Sequence, residues 1–265
     1  MGGIMTTIDN EHIAKVWDSV SKVLPTESKD SSNPFATTSL FFDFVGHIEK
    51  SSRVLEVGCA TGKSTRNLVE RFNLNKVGEK ASVCGVDLST GMIEAAKAFE
   101  KQNPYGISYF ASDAADMSVF KDGEFDHVVS IMALMDMTNL KGIFSEIYRV
   151  LSIGGKLSYS TRHPCFITPG TQILRGNLPS QFHLVVGGYF KEGGYLEKTM
   201  LGGKEFTIPR PSQTLSGYIN AMIEAGFKIT KIAEPRLGAG PEHANSQMSV
   251  WNNDAALRLF VEATK

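Results

Sequence analysis

Between Arg53 and Arg162 compact apolar runs alternate with segments of helical periodicity, and no other feature of the chain narrows its possible folds so far. The runs are RVLEVG (53–58), SVCGVD (82–87), ISYFAS (107–112), FDHVVSIM (125–132) and GKLSYSTR (155–162). The helical segments are GKSTRNLVERF, STGMIEAAKAFEKQ and NLKGIFSEIYRVL. Strands separated by helices need crossover connections, and a crossover returns the chain parallel to its start. The pattern therefore predicts a parallel sheet with helices on both faces. Further on, QTLSGYINAMIEAGF reads as a helix stopped at Gly226, KITKIAEP as a strand, and AALRLFVEATK as a segment able to pair back along the edge. The expected fold is a doubly wound, seven-stranded, mostly parallel sheet, Rossmann-like, with a C-terminal antiparallel edge hairpin.

Two stretches stand outside this alternation. Residues 1–34 are polar and turn-rich, with one helical patch, HIAKVWDSVSKVL, ended by Pro25, and predict an N-terminal flap. The main domain is expected over 35–265, opening on the apolar helix FATTSLFFDFVGHIE. From His163 to Pro211 the chain turns rich in glycine and aromatics, and a connection of that length is uncommon unless it covers a site. Residues 163–211 are therefore expected to form a cap of short strands or hairpins inserted after the fifth strand.

A chain of 265 residues can bury a full core as one elaborated α/β domain. With 27 basic against 28 acidic residues it has no global charge that would favour nucleic acid or an anionic membrane, and a small molecule is the expected partner. No run of about 18 apolar residues is present, so neither export nor membrane spanning is expected. Cys59, Cys84 and Cys165 are an odd number without a CxxC pair, which disfavours a disulfide framework and a zinc site. His183, His243 and Cys165 share no ligand spacing. A cytoplasmic monomer or homodimer without a metal is expected.

The stretch Val54-Leu55-Glu56-Val57-Gly58-Cys59-Ala60-Thr61-Gly62-Lys63-Ser64 carries an apolar strand through two glycines four apart and directly into a helix. Backbone and helix N-terminus can then approach a ligand closely, and a nucleotide-like ligand is expected at the strand's carboxyl end. A phosphate-cradling P-loop needs one more residue between the glycines. The dinucleotide fingerprint GxGxxG fails at Ala60 and has no third glycine in phase, which disfavours an NAD(P)-dependent oxidoreductase but leaves it as the rival cofactor reading.

Three further marks agree with a third class: Glu56 to Gly62 as ExGxxxG, Asp87 in Val86-Asp87-Leu88-Ser89, and Asp113 in Ser112-Asp113-Ala114. Phe125-Asp126-His127-Val128-Val129-Ser130 and Glu146-Ile147-Tyr148-Arg149-Val150-Leu151 followed by Gly154-Gly155 extend the pattern. Over residues 53–160 the chain resembles the class I S-adenosylmethionine-dependent methyltransferases, in their type 11 small-molecule branch. The resemblance implies transfer of a methyl group from S-adenosylmethionine to nitrogen or oxygen of a small metabolite by direct displacement, leaving S-adenosylhomocysteine. It also implies that Asp87 accepts from both ribose hydroxyls, while Gly58, Cys59, Ala60, Thr61 and Gly62 leave room for the methionine moiety. Glu56 would act on the methionine amine through backbone or water. Asp113 would hold the adenine amino group with Ala114 at the ring edge, and Leu88, Ser89 and Met92 would complete that wall. Ser130, Ile131 and Met132 would face the transfer axis. Trp17, on the N-terminal helix, would belong to a lid over the cofactor, or else dock as plain core. Asp87 alone also suits a helix N-cap, but it stands 25 residues beyond Gly62 at the end of the very next strand, where a right-handed crossover places a ribose ligand. A non-catalytic protein that kept the fold is the remaining alternative.

For the acceptor, His163 directly after the fifth strand is the candidate base, or a residue that caps the strand end. Arg162 is placed to meet an acceptor carboxylate or an internal acid. Tyr189, Phe190, Tyr195 and Phe206 are candidates for a flat aromatic acceptor pocket, or for the cap's own small core.

Overall fold

A computed structural model of the chain describes residues 8–24, 38–74, 83–177, 181–236 and 250–265. The link after Pro25, the start of the Phe35 helix and His243 lie outside the described residues. The helices are α1 (Asn10–Ser21), α2 (Thr38–Val45), α3 (Lys63–Phe72), α4 (Thr90–Gln102), α5 (Leu140–Val150), α6 (Leu215–Glu224) and α7 (Val250–Asn253). The strands are β1 (Val54–Val57), β2 (Val83–Asp87), β3 (Ile107–Ala111), β4 (Phe125–Ile131), β5 (Leu151–Arg162), β6 (Gln172–Arg175), β7 (Phe182–Val185), β8 (Gly194–Leu201), β9 (Lys204–Pro211), β10 (Lys228–Ala233) and β11 (Arg258–Thr264).

Seven of these strands form one sheet in the order β10-β11-β5-β4-β1-β2-β3. β1 runs parallel to both β2 and β4, so the winding reverses on either side of it and leaves a crevice at the strands' carboxyl ends. β11 is antiparallel to β5 and to β10, which makes the expected edge hairpin. Alternate residues feed two cores, because successive side chains point to opposite faces. Leu55, Val57, Val128, Leu157 and Tyr159 pack with Phe144 and Ile147 of α5 and Tyr218 and Met222 of α6. Val54, Val83, Val129 and Phe260 pack on the other face with Phe41 and Phe42 of α2 and Leu68 and Phe72 of α3. Every residue of β1 is buried, which explains why its run reads as continuously apolar apart from Glu56.

Between 172 and 211 lie two antiparallel hairpins, β6–β7 and β8–β9. The face of β8–β9 that carries Tyr195, Glu197 and Thr199 also carries their register partners Arg210, Ile208 and Phe206. Its apolar end is seated on α1: Ile208 and Phe206 join Val16, Trp17, Val20 and Met92 in one cluster. Helix α1 is thereby held between α4 and the hairpin.

Candidate active site

A cavity with about 920 Å³ of empty space opens at the carboxyl ends of β1, β2 and β4, under α1. Gly58 and Ala60 from the turn, Asp87 and Leu88 after β2, Met92 of α4, and Asp113 and Ala114 after β3 all reach its wall. So do Ile131 and Met132 at the end of β4, and Trp17 of α1. These are ten of the residues expected to touch a cofactor. At Gly58 φ is +77°, and an added Cβ would overlap that of Ala133, so the turn and the loop after β4 close on one another only because this residue has no side chain. Ala60 and Met132 also hold positive φ, at 47° and 57°. Backbone of that kind costs on the order of 1–3 kcal/mol per residue and collects at ligand sites.

Two carboxylates face the cavity with capacity to spare. Asp87 accepts from Ala60 N through Oδ2 (2.8 Å) and from Ser89 N through Oδ1 (2.9 Å). Asp113 accepts from Ala115 N (2.9 Å) and from Asn10 Nδ2 (2.7 Å). A carboxylate offers about four lone-pair sites, so each retains acceptors for a ligand's hydroxyl or amino hydrogens. Burial pushes Asp87 above the ordinary carboxylate range, and its two backbone donors pull against that shift.

Six expected residues do not line the cavity, a correction to the sequence reading: Cys59, Thr61 and Gly62 build the turn, Glu56 is beneath it in β1, Ser89 precedes α4 and Ser130 is in β4. Glu56 lies under the turn, fully buried, where Oε2 accepts from Thr65 Oγ1 (2.5 Å). Burial pushes its carboxyl up to about 7, against hydrogen bonds from Ser64 and Thr65. Cys59 is buried in the core beneath α3, and burial pushes its thiol up. The Thr61 carbonyl accepts from Arg66 Nη1 (3.0 Å). Gly62, at φ +76°, starts α3 against the ring of Tyr109. Ser89 caps α4 through Met92 N, and Ser130 donates to the Val57 carbonyl (2.9 Å). The alternation of a tight turn points Gly58 and Ala60 at the ligand and their neighbours at the core.

Other wall residues escaped the sequence reading: Asn10, Ile13, Ser64, Asp136, Met137 and Thr138 among them. Asn10 and Ile13 could have been found, since they precede Trp17 by seven and four positions and so share its helix face. Asn10 bonds Asp113 and also accepts from Thr138 Oγ1 (2.9 Å), while Asp18 accepts from Ser89 Oγ (2.6 Å) and Gly91 N (2.9 Å). Helix α1 is thus fastened to three loops of the crevice by polar contacts.

Asp136 is also the first member of a chain of charges that leaves the cavity. It pairs with buried Arg210, whose Nε meets Glu197 Oε2 (2.9 Å), and Arg162 Nη1 reaches both Glu197 oxygens (2.7 and 2.9 Å). Burial would raise Glu197, but the two guanidiniums outweigh it and hold its carboxyl low. Arg162 and Arg210, with Met135, Tyr189, Tyr195 and Tyr218, wall a second, narrower recess beside the cavity.

The acceptor candidates are thereby separated. Tyr189 and Tyr195 are on the recess wall. Phe190 is 83% exposed, edge-on to the ring of Tyr189, and Phe206 is packed on α1, two positions along the strand from Ile208 and four from the recess residue Arg210. Arg162 has the internal partner Glu197. His163 is 2% exposed; Nε2 lies 2.6 Å from Glu234 Oε1, Nδ1 accepts from Cys165 N (3.2 Å), and the ring packs on Phe166. With both nitrogens occupied and no place on the wall of either space, His163 closes the end of β5 and is not positioned as a base. Among the described residues no cluster of three His, Cys, Asp or Glu side chains could hold a metal, and no helix is long and apolar enough to cross a membrane.

Comparison with known proteins decides which ligand this geometry serves. Residues 55–159, the turn and the strands that wall the cavity, match the family model described as a methyltransferase domain, type 11. This stretch is a class I methyltransferase domain. A domain of this family takes S-adenosylmethionine as its cofactor. The chain is similar to the malonyl-[acyl-carrier protein] O-methyltransferase of Priestia megaterium, 29% identical over 152 residues, 57% of this chain and 48% of that protein. The chain therefore spans about half the length of that curated relative. A demethylmenaquinone methyltransferase of Listeria welshimeri is 24% identical over 90% of this chain and 97% of its own. In fold it is similar to an S-adenosylmethionine-dependent methyltransferase of Mesorhizobium loti, with a TM-score of 0.66 at 21% identity, over 87% of this chain and 98% of that one. The methyltransferase cavity fits the cofactor chemically: spare carboxylate acceptors on Asp87 and Asp113 suit hydroxyls and an amino group, and Leu88, Met92 and Ala114 offer an apolar bed for a ring.

Proposed function

We propose that the protein transfers the methyl group of S-adenosylmethionine to a nitrogen or oxygen of a small-molecule acceptor. The observation that carries this reading is the pair of carboxylates, Asp87 and Asp113, set on one cavity wall at the ends of adjacent strands β2 and β3. Asp87 binds the ribose hydroxyls and Asp113 the adenine amino group. When bound, S-adenosylmethionine supplies an electrophilic methyl carbon on a sulfonium sulfur. Ile131, Met132 and Met137 present an apolar surface at the end of β4 that orients the reacting groups, and Ile13 and Trp17 of α1 exclude water above them. Residues 8–24 act as the lid, and 163–211 as the cap that supplies the acceptor recess through Tyr189, Tyr195 and Arg210. Among the described residues no histidine lines the cavity wall, and direct displacement needs no base where the acceptor's lone pair is already free. Three unpaired cysteines suit a reducing cytoplasm.

The test is calorimetry of the purified chain with S-adenosylhomocysteine and with NADH, followed by transfer of labelled methyl from S-adenosylmethionine to a panel of small amines, phenols and hydroxy acids. Uptake of S-adenosylhomocysteine, no uptake of NADH, and label in an acceptor are expected. Absence of S-adenosylhomocysteine binding would end the reading, and binding without turnover on any acceptor would favour a silent member of the fold.

A further inference from the structure

β5 and β11 are antiparallel neighbours, and Arg162 and Arg258 are directly opposite one another in their register. Side chains so paired share one face of the sheet within about 5 Å at their Cβ atoms, and like charges there repel. Arg162 is answered by Glu197. Arg258 is not. Its Nη1 meets only the Leu257 carbonyl (3.3 Å), its Nε is buried without a hydrogen-bond partner, and it forms no ion pair among the described residues. Along the charge chain two carboxylates, Asp136 and Glu197, face three guanidiniums, Arg210, Arg162 and Arg258, so one positive charge is left over, on Arg258. Burial and the neighbouring Arg162 press on it enough to bring its pKa down to about 10. A desolvated cation without a counter-charge is unfavourable for the fold and calls for an anion.

The space beside it can admit one. Arg258 opens onto a crevice with about 1120 Å³ of empty space, open towards solvent, whose wall also holds Arg162, Tyr195, Lys198, Trp251 and the carboxylate Glu197, which is already paired with Arg162 and Arg210. Arg162 and Tyr195 belong equally to the recess bounded by Arg210 and Met135, and Arg210 pairs with Asp136 on the wall of the cofactor cavity. The crevice and the recess therefore adjoin at the carboxyl end of the sheet, and the Asp136–Arg210 pair stands between the recess and the cofactor cavity. We propose that Arg258 is an anion-binding residue, and that it receives the carboxylate or phosphate group of the methyl acceptor in this crevice, with Arg162 beside it. The acceptor is accordingly a small molecule with its anionic group at one end and its methylated atom at the other, lying through the recess. Arginine suits the task because its planar fork matches an oxyanion with two parallel hydrogen bonds. Only the naming of the anion as the acceptor's rests on the proposed methyl transfer; the anion site stands on its own geometry.

The probes are benzoate, phenyl phosphate and the neutral benzamide, titrated calorimetrically into the full chain, with S-adenosylhomocysteine titrated separately. Saturable binding of benzoate or phenyl phosphate, no binding of benzamide, and at least about a tenfold loss in Arg258→Met with S-adenosylhomocysteine affinity unchanged are expected. Whichever anion binds more tightly identifies the carboxylate or the phosphate as the natural group. Because the substitution removes a half-buried cation with no ion pair among the described residues, Arg258→Met should also melt higher than the parent without ligand, and the parent alone should gain thermal stability when the anion is added. Arg258→Lys, which keeps the charge and loses the fork, should bind the anion more weakly than the parent, and it serves if the methionine variant does not fold. Failure of both anions to bind the parent, or equal binding by parent and variant, overturns the proposal. Anion binding without S-adenosylhomocysteine uptake would instead overturn the cofactor reading and leave this site in place.

Discussion

Replacing Asp87 by asparagine tests the cofactor site at the atom on which it turns. The carboxylate already accepts from Ala60 N and Ser89 N, one through each oxygen, and its remaining lone pairs are the ones assigned to two ribose hydroxyls. Asparagine keeps one acceptor oxygen and turns an amide N–H toward the other backbone donor, so it removes the charge and sets donor against donor at the turn. A hydrogen bond to a charged group contributes about 1.5–3 kcal/mol. Loss of one such bond and weakening of the second should cost about 2–5 kcal/mol of S-adenosylhomocysteine affinity. At about 1.4 kcal/mol per tenfold, Kd should rise roughly 30-fold to a few thousand-fold. Calorimetry of parent and variant at one pH reads the change, and a melting curve without ligand shows that the variant is folded. A folded Asp87→Asn protein whose Kd is within about threefold of the parent would refute the ribose assignment.

Glu56, raised to about 7 by burial, binds its proton more tightly in the folded state than at its ordinary value of 4.5. Its contribution is therefore fully present below about pH 4.5 and is lost as pH rises through 7, by about 3 kcal/mol. Glu56→Gln should remove that slope in urea unfolding between pH 5 and 8; His127, pushed down to about 4 by its burial, acts in the opposite sense in both proteins and cancels from the difference. Identical slopes would show that Glu56 is charged throughout. Arg210→Met leaves Asp136 buried without its partner and should cost about 3–5 kcal/mol, a fall in Tm of roughly 6–20 °C, partly restored by adding Asp136→Asn; an unchanged Tm would mean that the pair contributes nothing. His163→Ala should lower Tm through loss of the Glu234 bond and the Phe166 contact while kcat stays within about threefold. A hundredfold fall in kcat with the fold intact would return His163 to the role of base.

How much of this was legible beforehand follows from the range of the forces involved. The order of strands and helices, the tight turn at Gly58 and the acids closing β2 and following β3 could all be read along the chain, because periodicity and left-handed backbone are local demands. Which way each residue of the turn faces could not. Ala60 reaches the ligand while Thr61 and Cys59 go to the core, because the whole turn folds back against the loop after β4. Partnerships over long separations were equally hidden: Asn10 with Asp113, Asp136 with Arg210, and His163 with Glu234, 103, 74 and 71 positions apart. A histidine after a strand is a base or a structural residue according to what packs on both its nitrogens. An arginine is free or neutralised according to which carboxylates the fold brings beside it. Those choices depend on distances in space that spacing along a chain does not encode. The residue types and their local conformations were thus set by sequence alone, and their division between cavity wall, scaffold and anion crevice was decided only when the sheet, the hairpins and α1 had packed together.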